Sequence, residues 1–372
     1  MAKPRRYQHF GWPVSPYTAK TRAYLRFKDV PFDDIEPGAL KLFMGIKRAV
    51  GRAVMPTVQR PDGVWMPGPS EIIDHFEQRH PERSVVPAGP AQRVASLLLE
   101  LHGDEWLPLV AMHTRWTIGE NRRFIADEFG RYSFPHMPGP LRRRLARPVA
   151  NKMASYLPLL GVTPQTASGI EAFLSSLIKH LDQHLRQHPF LLGTRPCIGD
   201  FALYGPLWAH CWRDPGSRKF FEGAPAVVAW FDRLNNPDGK EGAFLANDEV
   251  PETLDPIFKV LFEEQWPYVQ TLVETIDAWC AKNPQAHRVP RALGNCDFTV
   301  GGAAGQRRLL TFTQWMAQRP LEAYANLNES DQKNVEAWLS RFGADGKLSL
   351  PINNPFERRQ FKMRLKNAPA TP

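Results

Sequence analysis

The hydrophobic period of this chain changes near residue 90, and that change limits the folds open to it. Up to His80, apolar residues come in short runs broken by Pro, Gly and Asp. "RYQHFGW" reads as a strand, and "SPYTAKTRAYLRFK" as a helix with Tyr17, Tyr24, Leu25 and the Lys28 stem on one face. "VPFDDIEP" reads as a second strand and "ALKLFMGIKRAV" as a basic helix or irregular segment. "MPTVQRPDGVWM" supplies two further strands around the turn sequence Pro61-Asp62-Gly63. "GPSEIIDHFEQRH" is a helix that starts at Ser70, buries Ile72, Ile73 and Phe76, and ends before Pro81. A hairpin beside a parallel βαβ unit makes a small mixed sheet with helices on both faces.

From Ala91 onward the period is helical. "AQRVASLLLELHGDEWLPLVAMHTRW" and "ASGIEAFLSSLIKHLDQHLRQH" are long amphipathic helices separated by a Pro- and Arg-rich connection. "CIGDFALYGPLWAHCW" starts another, with Asp200 three residues after Cys197, the spacing of an acid at N3 that reaches back to the cap. Residues 237–254 read as a surface linker, followed by a helix kinked at Pro267. "GGAAGQRR" at 301–308 lacks the Lys-Ser/Thr of a phosphate loop and reads as a turn that introduces a helix "LLTFTQWMAQ". "SDQKNVEAWLSRF" is expected as a helix capped by Ser330 and ended by Gly343. The expected division is residues 1–80, a linker at 81–90, an all-helical part at 91–236 and an extension at 237–372. With 372 residues, 43% of them hydrophobic, such a chain can bury a sizeable core.

The net charge of +9 would attract anions, but the basic residues are scattered and carry no nucleic-acid motif spacing. The groups at Arg142, Arg143, Arg144 and Arg147, and at Arg358, Arg359, Lys362, Arg364 and Lys366, read as a solvated face and a tail. Neither a nucleic-acid nor a membrane partner is expected. Cys197, Cys211, Cys280 and Cys296 are far apart and form no CxxC pair, which suits a reducing compartment. With no signal-peptide core at "MAKPRRYQHFGW" and no membrane-length apolar run, a cytoplasmic location is expected. His180, His184 and His188 form one helical stripe without a carboxylate partner, and no metal is expected there.

The ordered set "SPYTAKTRAYL", "VMPTV", "PSEIIDHFEQRHPE" and "FLLGTRPCIGDFALYG" resembles the glutathione transferase superfamily over about residues 6–236. The resemblance implies an α/β thioredoxin-like N-terminal domain that binds glutathione and an all-α C-terminal domain, here followed by a mainly helical extension. It implies glutathione as co-substrate, a small hydrophobic or aromatic electrophile as second substrate, and a homodimer. Ser15 matches the active-site serine or cysteine position of tau-, zeta- and omega-like members, where a hydroxyl at a helix N-terminus favours a bound thiolate. Ser15 followed by Pro16 is equally an N-cap and N1 pair, and the two uses are compatible. Thr18 and Tyr7 are further candidates for the hydroxyl role.

By the same resemblance, Pro56 matches the cis-proline, Met55 pairs its backbone with the cysteinyl part of glutathione, and Ser70 holds the γ-glutamyl carboxylate. Ser70 also reads as an N-cap. Lys41, Lys47, Arg48 and Arg52 lie where a donor for the glycyl carboxylate is often found. Asp104, Glu105, Trp106, His113, Arg115 and Trp116 lie on the helix that usually borders both sites, and Trp12, His113 and Trp116 are the candidates to line the second-substrate cavity. Pro69 departs from the pattern, since the family commonly carries an acidic or amide side chain immediately before the serine. That departure and the extension leave an alternative, a non-catalytic binding or interaction protein that retains the transferase fold.

Overall fold

A computed structural model of the chain describes residues 6–359 and 361–366. Its first part is a four-stranded sheet of order β2-β1-β3-β4, formed by β1 (Tyr7–Phe10), β2 (Phe32–Ile35), β3 (Thr57–Gln59) and β4 (Trp65–Pro67). β1 and β2 run parallel with Tyr7 opposite Phe32, β1 and β3 antiparallel with His9 opposite Val58, and β3 and β4 antiparallel. The crossover is α1 (Pro16–Phe27); a π-helical turn at Lys41–Ile46 leads into α2 (Lys47–Val50), and α3 (Pro69–Arg79) follows the sheet. This is the small mixed sheet expected from the short apolar runs, in the thioredoxin-like form that the resemblance implied.

The helical part comprises α4 (Pro90–Leu101), α5 (Leu107–Thr117), α6 (Gly119–Ser133), α7 (Gly139–Ala154), α8 (Ala167–Leu185), α9 (Ile198–Pro206) and α10 (Pro225–Asn235). Gly103, between α4 and α5, lies so close to α9 that a Cβ would stand 2.5 Å from the Ala202 backbone. Asp200 acts as its spacing predicts: one carboxylate oxygen accepts from the Cys197 N–H at 2.9 Å, and the other from the Leu191 N–H and the Trp230 indole.

The extension contains α11 (Asp255–Val260), α12 (Trp266–Lys282), a hairpin of β5 (Ala292–Val300) and β6 (Ala303–Leu310), α13 (Phe312–Ala325), α14 (Glu329–Ser340) and a second hairpin of β7 (Phe356–Arg359) and β8 (Lys362–Leu365). Three expectations are corrected here. The glycine-rich run 301–308 does not introduce a helix: Gly301 and Gly302, at φ 52° and 81°, form the tight turn of a hairpin and the rest is β6. The cap of α14 is Asn328, whose Oδ1 accepts from the Asp331 N–H at 3.0 Å, rather than Ser330. Residues 237–254 are docked rather than a free linker, because Phe244 bridges to Gly193, and Val250 and Leu254 are buried.

All three parts share one continuous core. It runs from Tyr24, Ile72 and Phe76 through Leu98, Leu107 and Phe201 to Trp266, Met316, Leu321 and Trp338. Buried charges cross the same boundaries. Lys20 of α1 donates to Glu100 at 2.9 Å and Asp104 at 2.6 Å, and Arg319 of α13 reaches Glu100 at 2.9 Å while forking onto both oxygens of Asp74 in α3. Burial alone would lower the Lys20 pKa, but Asp104 and Glu100 hold it above its ordinary value. Burial and the neighbouring Glu100 raise Asp104 against the pull of Lys20, because two carboxylates compete for one ammonium. Burial would raise Glu100 too, but Arg319 and Lys20 outweigh it and keep Glu100 ionised.

Two outcomes are expected. Asp248 accepts from the Ala91 and Gln92 N–H groups at 2.7 and 3.0 Å and so caps α4 from the far end of the 237–254 segment. Asp248→Ala should cost about 1 kcal/mol in a denaturant titration, and Asp248→Asn less. Glu105 is half-buried, and desolvation of its carboxyl, opposed by a 2.6 Å bond from the Thr313 hydroxyl, pushes its pKa to about 8. The folded state therefore keeps a proton that the unfolded state gives up, so stability falls as pH rises from the ordinary carboxyl range to about 8. Glu105→Gln, measured by melting between pH 5 and about 8.5, should flatten that decline; an unchanged slope would show that Glu105 is ionised in the fold.

Candidate functional site

Ser15 precedes α1 in extended conformation (φ −92°, ψ 124°), and its Oγ accepts from the Thr18 N–H at 3.3 Å. Because the oxygen is the acceptor in that bond, the hydroxyl hydrogen remains free to donate. Ser15 is only half buried, and Pro16 at the first helical position brings no N–H of its own. The helix end thus presents a hydroxyl donor together with the positive end of the helix dipole.

The loop that carries Ser15 is held from behind by a buried assembly that sequence reasoning did not find. Arg115 of α5 donates to the Val14 carbonyl at 2.6 Å and to the Ala209 carbonyl at 2.6 Å, and its other donors pair with both oxygens of Asp214. His210 accepts from Arg115 at 2.6 Å through Nε2 and donates from Nδ1 to the Ala111 carbonyl at 2.9 Å. Burial and the adjacent Arg115 hold His210 far below its usual pKa, so it stays neutral in that acceptor role. Within the loop, the Ser15 N–H bonds to the Trp12 carbonyl, and the Trp12 indole donates to the Pro37 carbonyl. The sequence contained Arg115, but its link to Asp214 and His210 is tertiary.

The Met55–Pro56 bond is cis, as the resemblance implied. Among the described residues, neither backbone group of Met55 has a hydrogen-bond partner, so a short strand edge remains open next to the sheet. Lys41 stands over the stacked rings of Phe10 and Trp65, at 5.2 and 5.8 Å. Arg52 is close enough to Glu71 to feel its charge.

Ser70 departs from both of its sequence readings. Gly68 is the N-cap of α3, so Ser70 lies inside the first turn and caps nothing. It is 2% exposed, and its Oγ meets the Met316 sulfur of α13 at 3.7 Å. Beside it, Arg358 of β7 bonds to Glu71 at 2.9 Å and passes over Gly68. Phe361, at the tip of the second hairpin, packs on the same small cluster as Val54 and Met55. The extension therefore roofs one end of the site.

The remaining candidates are packed rather than open. Trp12 and Trp116 both meet Phe129 inside a buried cluster with Val14, Leu42 and Tyr132. His113 is buried apart from them and bonds to Glu171 at 3.1 Å and Thr117 at 3.3 Å. Thr18 is buried with its side chain against Gly11, which removes it from the hydroxyl role, and Tyr7 packs its ring edge-on against Phe76. His184, from the histidine stripe, is occupied by Thr253 at 2.7 Å, and among the described residues no cluster of three or more His, Cys, Asp or Glu side chains could hold a metal.

Comparison with known proteins adds the following. Residues 10–84 match the glutathione S-transferase N-terminal domain, and residues 165–233 match the glutathione S-transferase C-terminal domain. No curated protein matches the chain. Among solved structures, a beta-etherase from Sphingobium sp. strain SYK-6 is similar at 19% identity and a TM-score of 0.43, over 63% of this chain and 96% of that one. A glutathione S-transferase from Rhodospirillum rubrum F11 is similar at 13% identity and a TM-score of 0.41, over 66% and 96%. A glutathione S-transferase from Methylobacterium radiotolerans, solved with glutathione sulfonate, is similar at 16% identity and a TM-score of 0.37, over 63% and 92%.

Proposed function

The chain belongs to the glutathione transferase superfamily, and on that premise we propose that it is a transferase-like enzyme that holds the thiol of glutathione at Ser15 and delivers it to a small apolar or aromatic electrophile. The observation that carries this reading is the Ser15 hydroxyl: half-buried, at the N-terminus of α1, with its hydrogen uncommitted among the described residues. A hydroxyl donor and a helix N-terminus both favour an anion, so a thiol with an ordinary pKa of ~8.5 is shifted toward the thiolate without a dedicated base. The open backbone edge at Met55 is suited to pair with the peptide of the cysteinyl residue.

Recognition of the far end of glutathione must differ from the family pattern, because Pro69 offers neither a side-chain acceptor nor an N–H. In this reading Arg358 of the extension, over Gly68 and next to Glu71, supplies the cation that meets a carboxylate there. Exposed Phe43 and Met44 offer apolar surface for the electrophile, on a turn whose Leu42 and Ile46 pack against the Trp12–Val14 cluster. The second reading, a binding protein that performs no turnover, is favoured by the Met316 sulfur seated on Ser70.

Ser15→Gly separates capping from chemistry, since glycine is nearly as good an N-cap as serine but carries no hydroxyl. Turnover of glutathione with an aryl halide such as 1-chloro-2,4-dinitrobenzene should fall by about 10²-fold while the unfolding midpoint moves by only a few tenths of a kcal/mol. Arg358→Gln should raise KM for glutathione with kcat little changed. Glutathione binding without turnover of any electrophile, unaltered in Ser15→Gly, would establish the non-catalytic reading.

A further inference from the structure

A second cleft lies where α8 meets the extension. Its volume is about 240 Å³, and its floor and walls are Phe173, Leu177, Ile257 and Val260. His102, Ser176, His180 and Glu264 also line it, Glu264 beside the turn at Gly301. None of these residues takes part in the Ser15 site.

The hydrogen-bond pattern at the floor fixes the tautomer of His102. The Gln265 amide nitrogen donates to the Leu101 carbonyl, so the amide oxygen faces the imidazole and accepts from His102 Nδ1 at 2.8 Å. Nδ1 therefore carries the proton and Nε2 carries a lone pair. Burial lowers the His102 pKa to about 4, the bond to Gln265 opposing, so the ring stays neutral and Nε2 stays an acceptor. His102 is 1% exposed, and among the described residues Nε2 has no donor.

Glu264 repeats the pattern. Its Oε1 accepts from the Gly301 N–H at 2.8 Å, while Oε2 is buried without a partner among the described residues. Burial raises the Glu264 pKa to about 7, so its carboxyl holds a proton for part of the time near neutrality; the buried Nε2 of neutral His102 is the acceptor that is costly unless a donor arrives. A cavity of about 150 Å³ is enough for benzene, so the volume here admits a ring with one or two small substituents.

We propose that this cleft binds a small monocyclic phenol or aromatic alcohol, with the ring between Phe173, Leu177, Ile257 and Val260 and the hydroxyl donating to His102 Nε2. The recognition is selective for a donor. A ligand of the same shape without one leaves Nε2 unpaired and loses the bond that the site is arranged to make. The site exists only because the extension is present, since Ile257, Val260, Glu264 and Gly301 all belong to it.

The test is calorimetric titration of the full chain with p-cresol and with 4-methylanisole, which differ only in methylation of the hydroxyl. p-Cresol is expected to bind with a sub-millimolar Kd, and 4-methylanisole at least tenfold more weakly. His102→Phe should remove that discrimination. Ala172→Trp, at an exposed rim position, should close the mouth and abolish binding of both compounds while leaving thiol turnover unchanged; it keeps the test intact if His102→Phe does not fold. No binding of p-cresol at millimolar concentration would overturn the proposal and leave Nε2 to an ordered water. Equal affinity for the two compounds, or p-cresol binding that survives Ala172→Trp, would overturn it as well.

Discussion

The structure depends on how a few buried charges are shared among helices that are far apart in the chain. Glu100 of α4 is the common partner: Lys20 reaches it from α1 and Arg319 from α13, and Arg319 in turn grips Asp74 of α3. Taking such groups out of water is costly, and the cost is recovered only when each carboxylate finds its cation in good geometry. The network therefore fixes the relative placement of the sheet domain, the helical domain and the extension. The hydrophobic core runs through the same junctions but is not directional and would tolerate small sliding.

That placement determines what happens at Ser15. The hydroxyl is positioned from two directions, by its own bond with the Thr18 N–H and by Arg115, which holds the preceding carbonyl while anchored on Asp214. At the other end of the site, the extension closes over Ser70 with Met316 and over Gly68 with Arg358. One end of the candidate site thus presents a half-buried hydroxyl at a helix N-terminus, and the other is reshaped by a segment outside both matched domains. Pro69 fits this arrangement: with a cation brought in from the extension, an acidic or amide side chain at that position is no longer the only way to make the end of the site polar.

Much of this was legible in the sequence wherever the signal was local. Short alternating runs and turn residues gave the mixed sheet, Ser15-Pro16 marked the start of α1, and Cys197 with Asp200 marked the box at α9. The errors share one physical origin. The run at 301–308 was read for its glycines as an approach to a helix, yet Gly301 and Gly302 are the positive-φ pair of a hairpin whose strands are stabilised by packing on α8 and α12. Ser70 was read as a cap because it opens a helix, but what it touches is Met316, distant in sequence. His113 and Trp116 are one helical turn apart and Trp12 precedes the Ser15 loop, and only the tertiary packing shows that Phe129 covers the two indoles and that His113 bonds to Glu171. Periodicity reports which face of an element is apolar; it does not report what covers that face.

The docking of α13 and α14 on α4 has a practical consequence for anyone who trims this protein to its recognisable portion. A fragment ended near Asn236 would satisfy every family boundary, yet it would expose the side of α4 that those helices cover. It would also leave Glu100 and Asp104 with Lys20 as their one remaining cation, and breaking a buried pair of this kind costs about 3–5 kcal/mol. Such a fragment would be expected to aggregate on expression. Poor solubility of the shortened protein would then reflect an amputated core rather than an unsuitable host or buffer.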